Sequence, residues 1–342
     1  MIKKRKRRLW FLTGALIGVV AGAIVVGTWY RGELAPMPEG EPVLVRYEEG
    51  ATFDGVMLDL EKRGVVRNPA AVKVYCYLQR ADRTIYVGTF EFRPGMNVEQ
   101  VLRTLKRPIE QQVRIPEGWW IARAAKILEK NRVCTAQEYV DAAHDPARFA
   151  GDVSFPLPQG SLEGFLYPDT YDLPPLIGAD AVVRRQLQAF EEKVWKPAQV
   201  MGVTPEALNR ALVVASMVEL EAAVDPERPM IAGVIENRIK INQNLEIDAT
   251  VLYAIQDWRV LQRGEVRTIV SPYNTYLNPG LPPGPIGSPA WRSVSAALAP
   301  EQHEFLYYVA RPDRTHFFSS TYSEHRQNIN KSRKEFAEGG DA

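Results

Sequence analysis

The hydrophobic pattern of this chain falls into three regimes. The first regime is unbroken: Leu9 to Tyr30 contains no charged residue, a run of about 22 positions. That length crosses a bilayer core of roughly 30 Å as a helix. Lys3, Lys4, Arg5, Lys6, Arg7 and Arg8 precede it. Basic residues stay on the cytoplasmic side, so the expected topology is single-pass and N-in, with everything after Arg31 outside the cytoplasm. A cleaved signal peptide is the competing reading. The run is longer than a usual signal core and no clear small-x-small site follows it, which favours an uncleaved anchor.

The second regime is a series of short helical patterns, each opened by a glycine turn. Gly50-Ala51-Thr52 precedes Phe53, Val56, Met57 and Leu60; Gly95-Met96-Asn97 precedes Val98, Val101, Leu102 and Leu105; Gly118 precedes Ile121, Ala124, Ala125 and Leu128. The spacing is that of one helix face. Strand-like stretches at 84–87, 89–92 and 112–115 separate them. The expected organisation is a basic segment (1–8), a transmembrane helix (9–30), a Pro/Glu/Gly-rich linker (31–43), a small α+β module (44–115) and a mainly helical domain with a β-hairpin (116–342), α+β overall.

The third regime is a helix apolar on nearly all sides. Thr204-Pro205-Glu206 combines an N-cap residue, proline at the first helical position and an acid. Ala211 to Val218 are apolar or small throughout. Glu219 continues the stripe of Leu208, Leu212 and Ala215, where a carboxylate is out of place. Desolvation disfavours its charged form, as a general acid at neutral pH requires. A buried ion pair with an arginine is the alternative at this point. Glu221 lies about 200° around the helix from Glu219, so the two carboxylates face different ways, and Glu221 is expected to be structural. Downstream, Tyr273-Asn274-Thr275-Tyr276 offers aromatic, amide and hydroxyl groups suited to sugar rings. The stretch from Asn278 to Pro289, rich in proline and glycine, is expected to be a stiff cleft wall. His316 and His325 are expected to serve packing or surface roles, with ligand contact as the alternative.

Composition narrows the chemistry. Of 42 Lys and Arg residues, six lie in the first eight positions, leaving 36 against 41 Asp and Glu. A mildly acidic remainder argues against nucleic-acid binding. Two cysteines, Cys76 and Cys134, form no disulfide framework and sit in apolar surroundings. Four scattered histidines and no metal-ligand spacing give no reason to expect a metal or other cofactor.

Taken in order, Ile115-Pro116-Glu117-Gly118, Leu162-Glu163-Gly164-Phe165-Leu166-Tyr167-Pro168-Asp169-Thr170-Tyr171, Val214-Ala215-Ser216-Met217-Val218-Glu219-Leu220-Glu221, Glu227-Arg228-Pro229, Asn237-Arg238, Tyr273-Asn274-Thr275-Tyr276, Gly280-Leu281-Pro282-Pro283-Gly284-Pro285-Ile286 and Thr321-Tyr322-Ser323-Glu324-His325 resemble the endolytic murein transglycosylases, the MltG or YceG-like family, over nearly the whole chain. The strand–helix–helix–strand module with its Gly-Ala-Thr opening resembles LysM modules, which bind N-acetylglucosamine-containing glycans; a spacer without glycan contact is the alternative.

The resemblance implies a lyase of the inner membrane that cuts the β-1,4 bond between N-acetylmuramic acid and N-acetylglucosamine in nascent peptidoglycan strands, leaving 1,6-anhydro ends near the synthases (penicillin-binding proteins) that make them. It implies Glu219 as the catalytic acid/base. Candidate substrate contacts are Glu163, Asn237, Asp248, Tyr273, Asn274, Thr275 and Tyr276. The nucleophile is the sugar's own C6 hydroxyl, so no second carboxylate is needed, unlike a retaining hydrolase. A hydrolytic muramidase and a non-catalytic murein-binding scaffold are the alternatives. The chain departs from the family pattern at Glu246, at Ala249 in place of a proline, and at Leu220 and Ala222 beside the glutamate.

Overall fold

The computed structural model describes residues 2–338. Met1, the side chains of residues 2–9, 11 and 12, which include the basic cluster Lys3–Arg8, and residues 339–342 at the end of the expected catalytic domain lie outside the described set. The chain divides into two compact units: one runs through Gln111 and includes Pro174–Leu176, and the other comprises Gln112–Leu173 and the chain from Ile177 onward.

The first unit begins with helix α1 (Ile2–Glu33). It is the one helix among the described residues long and apolar enough to cross a membrane. Leu16, Ile17, Val19, Ile24 and Val25 all stand exposed along it. The helix runs three residues past the expected limit at Tyr30, because Arg31 in its last turn complements the C-terminal end of the helix dipole. Strands β1 (Val43–Tyr47) and β2 (Gly88–Phe92) pair antiparallel, with Val45 opposite Phe90. Between them lie α2 (Phe53–Lys62) and α3 (Pro69–Gln79), and α4 (Val98–Thr104) follows. Each start has a chemical cause: Thr52 accepts from Gly55 N, Asn68 accepts from Ala70 N and Ala71 N ahead of Pro69, and Asn97 and Gln100 form a capping box. Val45, Phe90 and Phe92 from the sheet meet Met57, Leu60, Val72, Cys76 and Leu105 in one core. No strand forms at 84–87, where Tyr86 N binds Leu105 O instead of a sheet partner.

The second unit is mainly helical. In chain order it contains β3 (Gln112–Arg114), α5 (Ile121–Lys130), α6 (Ala136–Ala143), β4 (Thr170–Asp172), α7 (Ala179–Phe190), α8 (Lys196–Val200), α9 (Pro205–Glu221), α10 (Arg228–Lys240), α11 (Asp248–Ala254), α12 (Trp291–Leu298), β5 (Tyr307–Ala310), β6 (His316–Ser319) and α13 (Tyr322–Glu338). β3 pairs with β4, and β5 with β6, both antiparallel. A π-helical stretch, Glu191–Trp195, joins α7 to α8.

Helix α9 is the axis of this unit. It starts where Thr204 accepts from Ala207 N and Pro205 occupies the first helical position. Residues 211–218 are all buried, and α10, α11 and α12 pack on it. The stretch 278–289 also packs on α9: Ile286 is fully buried, and its amide donates to the buried Ser216 hydroxyl at 3.0 Å. The expected cleft wall is not formed: the 286–289 end of the segment is buried, and none of its residues lines the cleft described below. Its approach to the 116–120 loop requires glycine on both sides. A Cβ on Gly287 would lie 2.4 Å from Gly118 O, and one on Gly118 (φ +72°) 2.7 Å from Leu220 Cδ2.

Candidate active site

The end of α9 presents two carboxylates in different directions, as their spacing requires. Their surroundings differ in kind.

Glu219 is enclosed. Its side chain is 3% exposed and pairs with Arg228 Nη1 at 3.0 Å, with Arg228 itself 6% exposed. Its second oxygen accepts from Ala290 N at 2.9 Å and Ser293 Oγ at 2.8 Å. Arg228 also donates to Ser293 Oγ and to Asp225. Glu219 thus binds the end of α9 to the starts of α10 and α12, and supplies an acceptor at the α12 N-terminus, where Ala290 has none of its own. A charge-assisted network of this sort is strong.

Glu221 lies on a cleft of about 330 Å³, lined also by Arg238, Leu245, Glu246, Asp248, Tyr276, Tyr308 and His325. Tyr308 Oη donates to Glu221 Oε2 at 2.9 Å. Burial raises the Glu221 pKa above the usual carboxylate value; the Tyr308 hydrogen bond opposes that rise and the Asp248 charge adds to it. Behind Tyr308 stands a buried pair. His316 Nδ1 meets Glu227 Oε2 at 2.6 Å, and the His316 amide donates to Glu227 Oε1. The His316 ring meets the Tyr308 ring edge-on at 5.4 Å, fixing the phenol's direction.

The rest of the cleft is similarly braced. Arg238 donates to Leu306 O, Asn244 O and Leu245 O, and lies 3.8 Å from Glu246. Its guanidinium is 5.2 Å from the Tyr307 ring centroid. Asp248, exposed at the first position of α11, accepts from Tyr276 Oη at 2.6 Å. His325 stacks on Tyr307, and burial lowers its pKa.

Two of the sequence-derived contacts, Asp248 and Tyr276, therefore meet on one cleft. The others hold the scaffold. Thr275 accepts from Ile247 N through Oγ1 and from Glu246 N through its carbonyl, clamping the turn that carries Asp248. Asn274 is fully buried, its amide donating to Val266 O and Ile269 O. Asn237 donates to His303 O and Phe305 O. The Tyr273 ring packs tilted against Tyr253, with centroids 4.8 Å apart. Glu163 is buried in the core, accepting from Ile121 N at the start of α5, and burial pushes its pKa up to about 8. Buried amides and hydroxyls satisfy backbone groups more often than ligands, and these do. Sequence reasoning gave Arg238 and Tyr308 no cleft role, read Glu221 as structural and weighed a ligand contact for His325 below a packing role. The one available signal was Tyr308: strand alternation puts it on the opposite face from Tyr307 and Val309.

Among the described residues no cluster of His, Cys, Asp and Glu could hold a metal ion.

The profile of the YceG-like family matches residues 45–331. An endolytic murein transglycosylase of Bacillus subtilis (strain 168) is 26% identical over 328 residues, covering 90% of this chain and 89% of that protein. One of Streptococcus pneumoniae (serotype 2, strain D39) is 25% identical over 321 residues, covering 84% of this chain and 58% of that longer protein. Among solved structures, a YceG-like protein of Listeria monocytogenes superposes with a TM-score of 0.56 at 27% identity, covering 84% of this chain and 99% of that one.

Proposed function

The chain belongs to the YceG-like family, and from that premise we propose that it is a membrane-tethered endolytic murein transglycosylase whose acid/base is Glu221. The observation that carries the assignment is the contrast between the two carboxylates: Glu221 borders an open cleft, whereas Glu219 is sealed in an ion pair. This proposal departs from the expectation, drawn from the helical stripe and from the family resemblance, that Glu219 is the acid/base, and gives Glu219 the structural role.

The chemistry follows from one carboxyl group with a raised pKa. Protonated Glu221 donates its proton to the glycosidic oxygen as the bond from the anomeric carbon breaks. The resulting carboxylate takes the proton of the C6 hydroxyl of the same muramyl sugar. That oxygen bonds to the anomeric carbon, closing the 1,6-anhydro ring and returning Glu221 to its protonated form. Tyr308 holds the carboxyl group in place through both steps. Asp248 and Tyr276, with Arg238 opposite, supply polar contacts for the sugar edges.

Asp248 supports a second reading. A second carboxylate on the same cleft is what a hydrolytic muramidase uses to activate water. Digestion of purified murein separates the two, since anhydro ends are lighter by one water than hydrolysed ends. Release of reducing ends alone would replace transglycosylation by hydrolysis.

The exposed apolar face of α1, with the basic residues that precede it, supports an N-in anchor that keeps the enzyme beside nascent strands and their synthases. The β1-α2-α3-β2 order of the first unit supports a LysM-like, glycan-contacting role for that unit.

A further inference from the structure

A second cavity of about 450 Å³ in the helical unit contributes nothing to the chemistry above. Trp119, Trp120 and Trp258 line it, with Arg123, Lys126 and Lys130 from one face of α5. The Arg123 guanidinium lies 4.4, 5.2 and 5.0 Å from the Trp119, Trp120 and Trp258 ring centroids, so it spreads over three indoles. Among the described residues no ion pair engages Arg123, Lys126 or Lys130, and Asp257 on the cavity wall is paired with Arg259. Trp258 is 45% exposed, although it is a large aromatic. Trp120 is 1% exposed and its indole N–H has no hydrogen-bond partner. A buried donor without an acceptor is costly, and a ligand acceptor would relieve it.

From this constellation we infer a second glycan-binding site, taking a murein segment whose sugar ring stacks on Trp258 and whose stem-peptide carboxylates meet Lys126, Lys130 and Arg123. The inference rests on the murein reading of the chain. Indole faces match the apolar faces of pyranose rings. Three cations without acidic partners match a glycan whose every second sugar carries a stem peptide with free carboxylates, and a neutral polysaccharide would leave them unused. The volume is that of a ligand pocket. Two contact points on one polymer raise the effective concentration of strand at the catalytic cleft, so long strands gain and short ones do not.

The test uses the full chain in detergent with Glu221→Gln to prevent cleavage. The probes are soluble murein strands with their stem peptides and chito-oligosaccharides of matched length, which present the same pyranose faces with no carboxylate. Trp258→Ala is expected to weaken binding of both about tenfold, the loss of one stacking contact. Lys126→Glu with Lys130→Glu is expected to weaken only the peptide-bearing strands, with a smaller salt dependence. All three positions are at the surface, so the core is untouched. Unchanged binding of both probes by both variants would overturn the inference while leaving the catalytic assignment standing. Equal loss on both probes in the lysine variant would overturn the carboxylate part. A parent chain that binds neither probe, with a wild-type chain that releases no anhydro ends, would overturn the murein reading and this inference together.

Discussion

Replacing Glu219 by glutamine removes the one negative charge that Arg228 meets in the interior. Arg228 keeps Asp225, but that carboxylate is 63% exposed and screened by water, whereas the Glu219 side chain is 3% exposed. Breaking a buried pair from one side leaves an uncompensated charge and costs about 3–5 kcal/mol. In a unit of this size each kcal/mol lowers Tm by about 2–4 °C, so the expected fall is roughly 6–20 °C. The assay is thermal unfolding of the full chain in detergent, followed by near-ultraviolet circular dichroism. The double variant Glu219→Gln with Arg228→Met should recover much of the loss, because an apolar side chain leaves no stranded charge. Below its melting range Glu219→Gln should retain cleavage. A variant with unchanged Tm and no activity would contradict a structural role and return the catalytic role to Glu219.

Three further outcomes follow from the same geometry. Tyr308→Phe removes a donor to the charged form of Glu221, so the Glu221 pKa should rise further, and the alkaline limb of the kcat/KM profile should move up by about one pH unit; an unshifted limb would separate Tyr308 from the acid. Glu163 has a folded pKa of about 8 against 4.5 for the free group, so its contribution is fully present below pH 4.5 and is lost as pH rises through 8; Glu163→Gln should therefore gain stability over the parent by about 1.4 kcal/mol per pH unit across that window, and a pH-independent difference in Tm would contradict this. Cys76 and Cys134 are both free, and burial raises both thiols, Cys134 up to about 12, so iodoacetamide at pH 8 should label neither until denaturant is added, as intact mass would show.

Much of the fold was legible in local chemistry. Thr52, Asn97 and Thr204 cap helices where the sequence places them, and the spacing of Val56, Met57 and Leu60 gives the buried face of α2. The site was legible only in part, because helical periodicity assigns a direction to a side chain but not the environment it meets. The 200° between Glu219 and Glu221 is visible in the sequence. That Arg228 and the start of α12 close over the first, while Tyr308 reaches the second, depends on residues 9 to 87 positions away. Tyr273, Asn274 and Thr275 show the same limit: their groups suit a sugar, but backbone amides and carbonyls of the neighbouring turns take the Asn274 and Thr275 side chains first.

In the proposed reaction Glu221 carries the proton. Full-length Glu221→Gln, mixed with purified murein and analysed by mass, should melt as the wild type does and release no 1,6-anhydro-muramyl products. Release of those products at the wild-type rate would contradict it.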